Sequence, residues 1–425
     1  MRRALPFLVV LVALGLAGTS ALAGIGPAAT STPPPTPVPP HGSPSPFPTA
    51  LATPPPSLHA PEVGAASAIL EDLDTGQVLF SRRVDVPRPI ASVTKIMTAD
   101  LTLDRLRPGK VVTVSAGAAA LGGESVGVSE LGLREGEQLT VRQLLDALML
   151  QSANDAAVAL ADAVSPSTDA FVSLMNRTAR RLGLSNTTFF SPNGLDDRGH
   201  STARSLASLT RLAEQQPLFA HIVRTKFATI PAPAGVNPRR VQNRNVLLWL
   251  YPGALGVKTG YTAAAGYCLV AAARRHGHRL VTVLLHDGSS QQMFNDAAAL
   301  LDYGFNAFHR EAVLESGRTF QATAGGVEYE VAAARSIRAW VPESTHGAPE
   351  FSVEVSTEGP LTVGRHAGGV VARINHLVVG RAPLNVTNVL GPVQPQSPPA
   401  TSASPPAWWS DLGGLAAGLY HSVFG

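Results

Sequence analysis

Cysteine is almost absent. Cys268 stands alone among 425 residues, so no internal disulfide can form, and with no cysteine near the N-terminus a lipoprotein-type anchor is not expected. Its neighbours Tyr267, Leu269 and Val270 put it on a buried strand, where it serves as a small apolar core residue. A dense lysine and arginine patch with interleaved aromatics is also missing. The formal charge of +3, of which Arg2 and Arg3 supply two units, therefore does not argue for nucleic acid. Among the twelve histidines, which include His276, His278 and His286 beside Asp287, no pair stands at metal-ligand spacing on a helix. Neither a metal nor a cofactor is expected.

What is present begins with punctuation at both ends. Arg2 and Arg3, the apolar run Leu5 to Leu16 and the small-residue ending Ala21-Leu-Ala23 read as a secretory signal over residues 1–23, with cleavage after Ala23. An uncleaved membrane anchor is the competing reading, because the apolar stretch can be extended to about 20 residues. Residues 24–60 follow as a linker rich in Pro, Ser, Thr and Ala, including Pro33-Pro-Pro35 and Pro54-Pro-Pro56. Such a segment cannot bury a core and reads as an extended spacer. Residues 391–407 are a second Pro/Ser linker. In 408–425, Trp408, Trp409, Leu412, Leu415, Leu419, Val423 and Phe424 form an apolar face at helical spacing, the pattern of a membrane-associating tail.

Three short strings carry the chemistry: Ser92-Val-Thr-Lys95, Ser152-Ala-Asn154 and Lys258-Thr-Gly260. Each is common by chance, but their joint occurrence in this order is not. A serine hydroxyl is a poor nucleophile at neutral pH and needs a nearby group to take its proton. Helical spacing over Ser92 to Asp104 puts Ser92 and Lys95 on one face, with Ser92 near the helix N-terminus, where developing negative charge is favoured. Lys95 is the natural proton acceptor if burial and other cations keep it partly neutral. The periodic segment Leu139 to Gln151 predicts a buried helix that delivers Ser152, able to relay a proton, and Asn154, able to hydrogen-bond a substrate amide. The third string sits in a strand that starts after Tyr251-Pro-Gly253. There Lys258 adds a second cation, and Gly260 leaves the strand edge open to a peptide.

Together these residues resemble the D-alanyl-D-alanine carboxypeptidases of the low-molecular-weight penicillin-binding proteins, whose motif set they reproduce. The likeness spans roughly Ala60 to Phe308. It includes Ser191-Pro-Asn-Gly-Leu195, His200-Ser-Thr-Ala203 and Ala265-Gly-Tyr-Cys268 around the three strings. The resemblance implies that Ser92 is the acylated nucleophile and Lys95 its base, and that Ser152, Asn154 and Lys258 complete the catalytic set. It implies substrate contacts by Lys258, Thr259, Gly260 and Tyr261, with an oxyanion hole made by the backbone N–H groups of Ser92 and Tyr261. Thr259 would meet the substrate's terminal carboxylate. The implied partners are peptidoglycan stem peptides and β-lactam inhibitors, with a membrane surface reached through either terminus and no nucleic acid. The implied reaction releases the last D-Ala of a pentapeptide outside the cytoplasm, in the secreted, periplasmic or cell-wall space. Two departures stand out. An arginine common in the family is absent from Gln291-Gln-Met-Phe294, and Ser205 occupies a position where an acidic residue is expected.

The pattern outside the strings predicts an α/β (α+β) fold. A hairpin at Ala68 to Phe80, helices from Ser92 to about Gln216, strands at Tyr267 to Ala273 and His278 to Leu285, and a helix from Gln291 to Tyr303 imply an antiparallel sheet built from both ends of a catalytic domain. That domain covers 61–309 and carries an inserted helical region; the resemblance adds helices on both faces of the sheet. Val327 to Val331, Phe351 to Val355 and Val370 to Ile374 predict a small β domain over 310–390 without a catalytic constellation, suited to a spacer or protein-contact role. Three other functions fit the same residues. A D,D-endopeptidase would use the same strings. A β-lactamase of the same fold would need a second carboxylate base, and no Glu-x-x-Leu-Asn string lies between Asn154 and Lys258. An inactive wall-associated scaffold would keep the fold without turnover.

Overall fold

The computed structural model describes residues 51, 58–121, 129–344, 348–355, 361–374 and 377–393. The expected signal, nearly all of the N-terminal linker and the tail beyond residue 393 lie outside the described residues. Among the described residues, no helix is long and apolar enough to cross a membrane.

A five-stranded antiparallel sheet organises the catalytic part. Its strands are β1 (Ser67–Asp72), β2 (Val78–Arg82), β3 (Ala254–Thr262), β4 (Gly266–Arg275) and β5 (His278–Asp287), in the order β2-β1-β5-β4-β3. The N-terminal hairpin thus pairs with a strand more than 200 residues later, Ser67 opposite Leu285 and Asp72 opposite Leu280. β3 is left at the edge. Strand alternation explains why these segments read as continuous apolar runs, since each face is covered. Cys268, Val270 and Ala272 of β4 enter the core shared with the helical lobe, while Leu269, Ala271 and Ala273 face the opposite core.

The helical lobe includes α1 (Lys95–Arg105), α2 (Val141–Asp146), α3 (Asn154–Val164), α4 (Thr168–Arg181) and α5 (Ala203–Ala213). α6 (Ser290–Asn306) covers the other face with Met293, Phe294, Ala297, Leu300 and Leu301. Full burial of each large side chain contributes about 1.5–3 kcal/mol. The helix expected from Leu139 is broken into pieces. Gln138–Thr140 pairs as a short strand with Val111–Thr113, and a Thr140 and Gln143 capping box starts α2. A π-helical turn, Ala147–Gln151, then ends the element. Ser205, the second departure from the family pattern, donates from Oγ to Ser185 O at 2.9 Å and so ties α5 to a neighbouring loop.

After α6 the chain forms β6 (Phe308–Leu314), β7 (Thr319–Ala324), β8 (Val327–Ala333), β9 (Ile337–Pro342), β10 (Glu350–Val355), β11 (His366–Ile374) and β12 (Leu377–Pro392). Five of them make a sheet in the order β7-β8-β12-β11-β10, and β6 pairs with β9. Their core is separate, built on Val331, Ala339, Val370, Ala372 and Leu384. β9 also fastens this part to the hairpin turn of the first sheet. Gln77 donates from Nε2 to Trp340 O at 2.6 Å and accepts from Trp340 N at 2.7 Å.

Burial beneath that hairpin leaves one carboxyl group nearly neutral. Glu71 on β1 is pushed up to about 7, first by desolvation, which Arg211 only partly opposes from 3.6 Å. Native Glu71 therefore keeps its proton between its ordinary value of 4.5 and about 7, where the unfolded chain releases it. Its contribution to stability is fully present below 4.5 and is lost as the pH rises through 7. Glu71→Gln, which stays neutral, is expected to melt close to the wild type at pH 5. At pH 8 it should melt above the wild type by roughly 5 °C, the equivalent of about 3 kcal/mol. Thermal melts of both proteins at the two pH values check this; equal differences at both would refute it.

Candidate active site

Ser92 occupies a 3-10 turn, Ala91–Thr94, and the α-helix begins only at Lys95, so the two residues sit at the junction of two helix types. The turn is bent by Ala91, which holds a positive φ of 46°. The Ser191–Leu195 loop lies directly on it. A Cβ added to Gly194 would stand 1.9 Å from Ala91 O, and Gly194 has φ +81°, so only glycine fits there. Thr98 Oγ1 donates to Pro192 O at 2.6 Å, and Asn193 Oδ1 accepts from Leu195 N at 3.0 Å; both hold the loop in place.

Lys95 has no exposed surface, and three oxygens surround its Nζ: Ser92 Oγ at 2.8 Å, Asn154 Oδ1 at 2.7 Å and Asn193 O at 2.7 Å. Burial holds its pKa well below the ordinary lysine range. The charges of Lys258 and Arg244 push it the same way, against the weaker pull of Asp155. Nζ donates to all three, and Ser92 Oγ is the one hydroxyl among them, so it is the partner that carries a proton of its own.

The π turn sets the second string. It ends at Ser152 in the left-handed region, φ 67°, with Ala153 N donating to Ala147 O at 3.1 Å. Asn154 then opens α3, and its N–H goes to Ser129 O at 2.9 Å. Asp155 accepts from the backbone N–H groups of Leu131, Gly132 and Leu133, which fixes that strip beside the lysine. Ser152 and Asn154 are both buried.

On edge strand β3, alternation puts Lys258, Gly260 and Thr262 on one face and Thr259 and Tyr261 on the other. The first face meets the serine turn. A Cβ on Gly260 would lie 3.1 Å from Ser92 N and 3.0 Å from Ile90 O, so the missing side chain lets the strand approach the nucleophile. Lys258 is buried, donates to Thr259 O at 2.8 Å, and has a pKa well below the ordinary range through burial and then the charge of Arg244. Half-buried Thr259 pairs with Leu269, and exposed Tyr261 stacks on Tyr267 with ring centroids 4.5 Å apart.

The structure thus brings Ser92, Lys95 and Asn154 into direct contact, sets Lys258 within reach of the lysine's field, and lays Gly260 against Ser92. Two residues of this site carry no signal in the three strings. Asn193 contributes only a backbone oxygen, which any residue could supply; the Asn193-Gly194 turn was the available hint. Arg244 follows β-hairpin residues Arg239–Gln242, and its backbone N–H donates to Leu150 O at 3.0 Å, against the π turn. Its Nε is buried without a hydrogen-bond partner, and burial lowers its pKa to about 10. Its charge lowers the pKa of both Lys95 and Lys258, and burial is the one cause of its own shift, with no carboxylate opposing it. By contrast, residues 291–294 form the start of α6, where Met293 and Phe294 are buried in the far core.

Residues 55–289 match the protein-family model for D-alanyl-D-alanine carboxypeptidases. The chain is 39% identical over 273 residues to the D-alanyl-D-alanine carboxypeptidase DacC of Escherichia coli, covering 62% of this chain and 67% of that protein. Among solved structures, penicillin binding protein 5 from Haemophilus influenzae superposes with a TM-score of 0.66 at 28% identity, covering 78% of this chain and 98% of the other. Penicillin binding protein 6B from Escherichia coli gives 0.62 at 30% identity, with 79% and 98% covered. Such coverage carries the structural likeness past residue 289 into the C-terminal β part.

Proposed function

Because the chain belongs to the D-alanyl-D-alanine carboxypeptidase family and is a serine-type enzyme of that activity, we propose that Ser92 is its acylated nucleophile. The observation that carries this is the three-way contact at Lys95 Nζ, which puts a fully buried amine of lowered pKa 2.8 Å from Ser92 Oγ. Lys95 takes the hydroxyl proton as Oγ attacks the carbonyl of the penultimate D-Ala. The oxyanion forms beside the backbone N–H groups of Ser92 and Tyr261. Ser152 passes the proton to the leaving amine, Asn154 orients the substrate amide, and Lys258 keeps Lys95 neutral. D-Alanine leaves, and water then hydrolyses the ester and regenerates Ser92.

The substrate carboxylate needs a cation, and Arg244 supports that role better than residues 291–294, which contain none. A part-buried guanidinium whose Nε has no partner gains most from a carboxylate that arrives with the substrate. Lys258 and Thr259 complete this end of the cleft. Arg244→Gln is expected to lower kcat/KM for D-alanine release by about 10²-fold, the loss of one charge-assisted pair. Removing the cation also raises the pKa of Lys95, so the acid limb of the pH profile should move to higher pH. A variant with unchanged kcat/KM and an unmoved limb would take Arg244 out of the site.

The same chemistry makes the enzyme a target of β-lactams, whose ring carbonyl Ser92 would open to a slowly hydrolysed ester. The substrates proposed are peptidoglycan stem pentapeptides met outside the cytoplasm. The signal-like residues 1–23 support that location, and the spacer-like residues 24–60 and membrane-suited tail 408–425 support attachment to the outer face of the cytoplasmic membrane. The β domain over 310–390 is read as a spacer or protein-contact module. Release of D-alanine from a pentapeptide mimic, measured against cleavage of a crosslinked dimer, tests the assignment. Preferential cleavage of the dimer would make the protein an endopeptidase.

A further inference from the structure

We propose that the cavity between the end of α4 and one face of α5 binds a short alkyl carboxylate, its charge on Arg211 and its chain among four leucines. The cavity measures about 180 Å³. Leu209 and Leu212 of α5 and Leu182 and Leu184 just past α4 make its apolar wall, and Ser208, Arg211 and Gln215 add polar groups. Drug-sized ligands occupy cavities of roughly 300–1,000 Å³, so this one suits a smaller molecule.

Helix geometry produces the shape. Ser208, Arg211, Leu212 and Gln215 stand at i, i+3, i+4 and i+7, one stripe along α5 and the turn that follows it. Gly183, with φ +67°, ends α4 in a Schellman turn in which Leu184 N donates to Ala179 O at 2.9 Å. The turn brings Leu182 and Leu184 to the same cavity as the stripe.

Charge then narrows the ligand. Arg211 Nε is buried without a hydrogen-bond partner. Among the described residues, Glu71 is the one carboxyl group within 4 Å of this guanidinium, at 3.6 Å, and burial pushes its pKa up to about 7. The other charges that act on Glu71 are engaged elsewhere. Arg204 donates from Nε to Asp85 Oδ1 at 2.7 Å, and Asp72 accepts from Thr75 Oγ1 and Trp340 Nε1. Below pH 7 Arg211 therefore has no counter-ion beside it. The carbonyls at the C-terminal ends of α4 and α5 oppose an anion, and Arg180 and Arg181 in the last turn of α4 offset them. A carboxylate satisfies the guanidinium, and a chain of a few methylenes covers the leucines, which a bare inorganic anion would leave wet.

The inference stands apart from the carboxypeptidase reading, since the cavity shares no residue with the site around Ser92. The test is calorimetric titration of the full chain at pH 6 with butyrate, hexanoate and hexanamide. Hexanoate is expected to bind about fifteenfold more tightly than butyrate, through two further buried methylenes, and about tenfold more tightly than uncharged hexanamide. In Arg211→Gln the two six-carbon ligands should bind alike, and Leu212→Asn should weaken both. Between pH 6 and pH 8 the wild type should lose about threefold in hexanoate affinity as Glu71 ionises and takes Arg211, whereas Glu71→Gln should hold its affinity. No saturable binding, equal affinity for butyrate and hexanoate, or a preference for hexanoate over hexanamide that survives in Arg211→Gln would overturn the inference. So would a wild-type affinity that does not fall at pH 8. The hexanamide comparison within the wild type decides the matter even where a variant does not fold.

Discussion

Ser92→Ala is expected to release D-alanine at least about 10⁴-fold more slowly than the wild type, since loss of the nucleophile in a serine acyl-transfer site removes the covalent path altogether. It should also form no covalent adduct with a fluorescent penicillin. The fold should remain. Ser92 sits in a short turn that Gly194, Ile90 and the start of α1 hold by backbone contacts, and the lost hydroxyl is one of three partners of Lys95. Gel fluorescence after labelling, with a thermal melt alongside, separates these outcomes. A labelled Ser92→Ala protein would show that acylation occurs elsewhere. A wild type that does not label would leave only the scaffold reading.

Lys95→Met should be nearly as damaging, with acylation slowed by about 10³–10⁴-fold, the upper range for losing a positioned general base. Methionine keeps most of the volume and all of the burial but offers no lone pair to the Ser92 hydroxyl. Asn154 Oδ1 and Asn193 O would each lose the donor that now lies 2.7 Å away, at a cost of about 1–3 kcal/mol for each carbonyl left unsatisfied. A lowered melting temperature is therefore expected together with the slower acylation. The two effects separate in the pH profile. Wild-type acylation should fall on the acid side as Lys95 gains a proton, whereas the residual rate of Lys95→Met should lack that limb. A variant that keeps the limb would assign the titration, and the base, to another group.

Much of this molecule was legible before any coordinates. The hairpin at Ala68 and the paired strands ending at Ala273 and Leu285 follow from apolar runs that fill both faces of the sheet, and the long helix after Gln291 from a period of 3.6. The separate β part was visible from its alternation. Less visible were departures from regular geometry at the site itself. Nothing in the apolar spacing of Leu139 to Gln151 marks the change from α2 to a π turn, since both present similar side chains to the core and differ by one residue in the hydrogen-bond step. The 3-10 turn at Ser92 was hidden in the same way, as its cause is the Ser191–Leu195 loop pressing on Ala91 about 100 residues away.

By itself, the sequence determined the order of the elements, the apolar faces that close the sheet from its two ends, and the residue types that acyl transfer requires, since these depend on local periodicity and on side-chain chemistry. Only the tertiary structure decided which groups share the field around Lys95. Arg244, Lys258, Asn154 and Asn193 come from four separate segments, and they act on the lysine through burial and Coulomb forces that fall off within a few ångströms of a contact no pattern along the chain encodes. That convergence is what lowers the pKa of a lysine three residues from a serine, the condition its proposed role as the base requires.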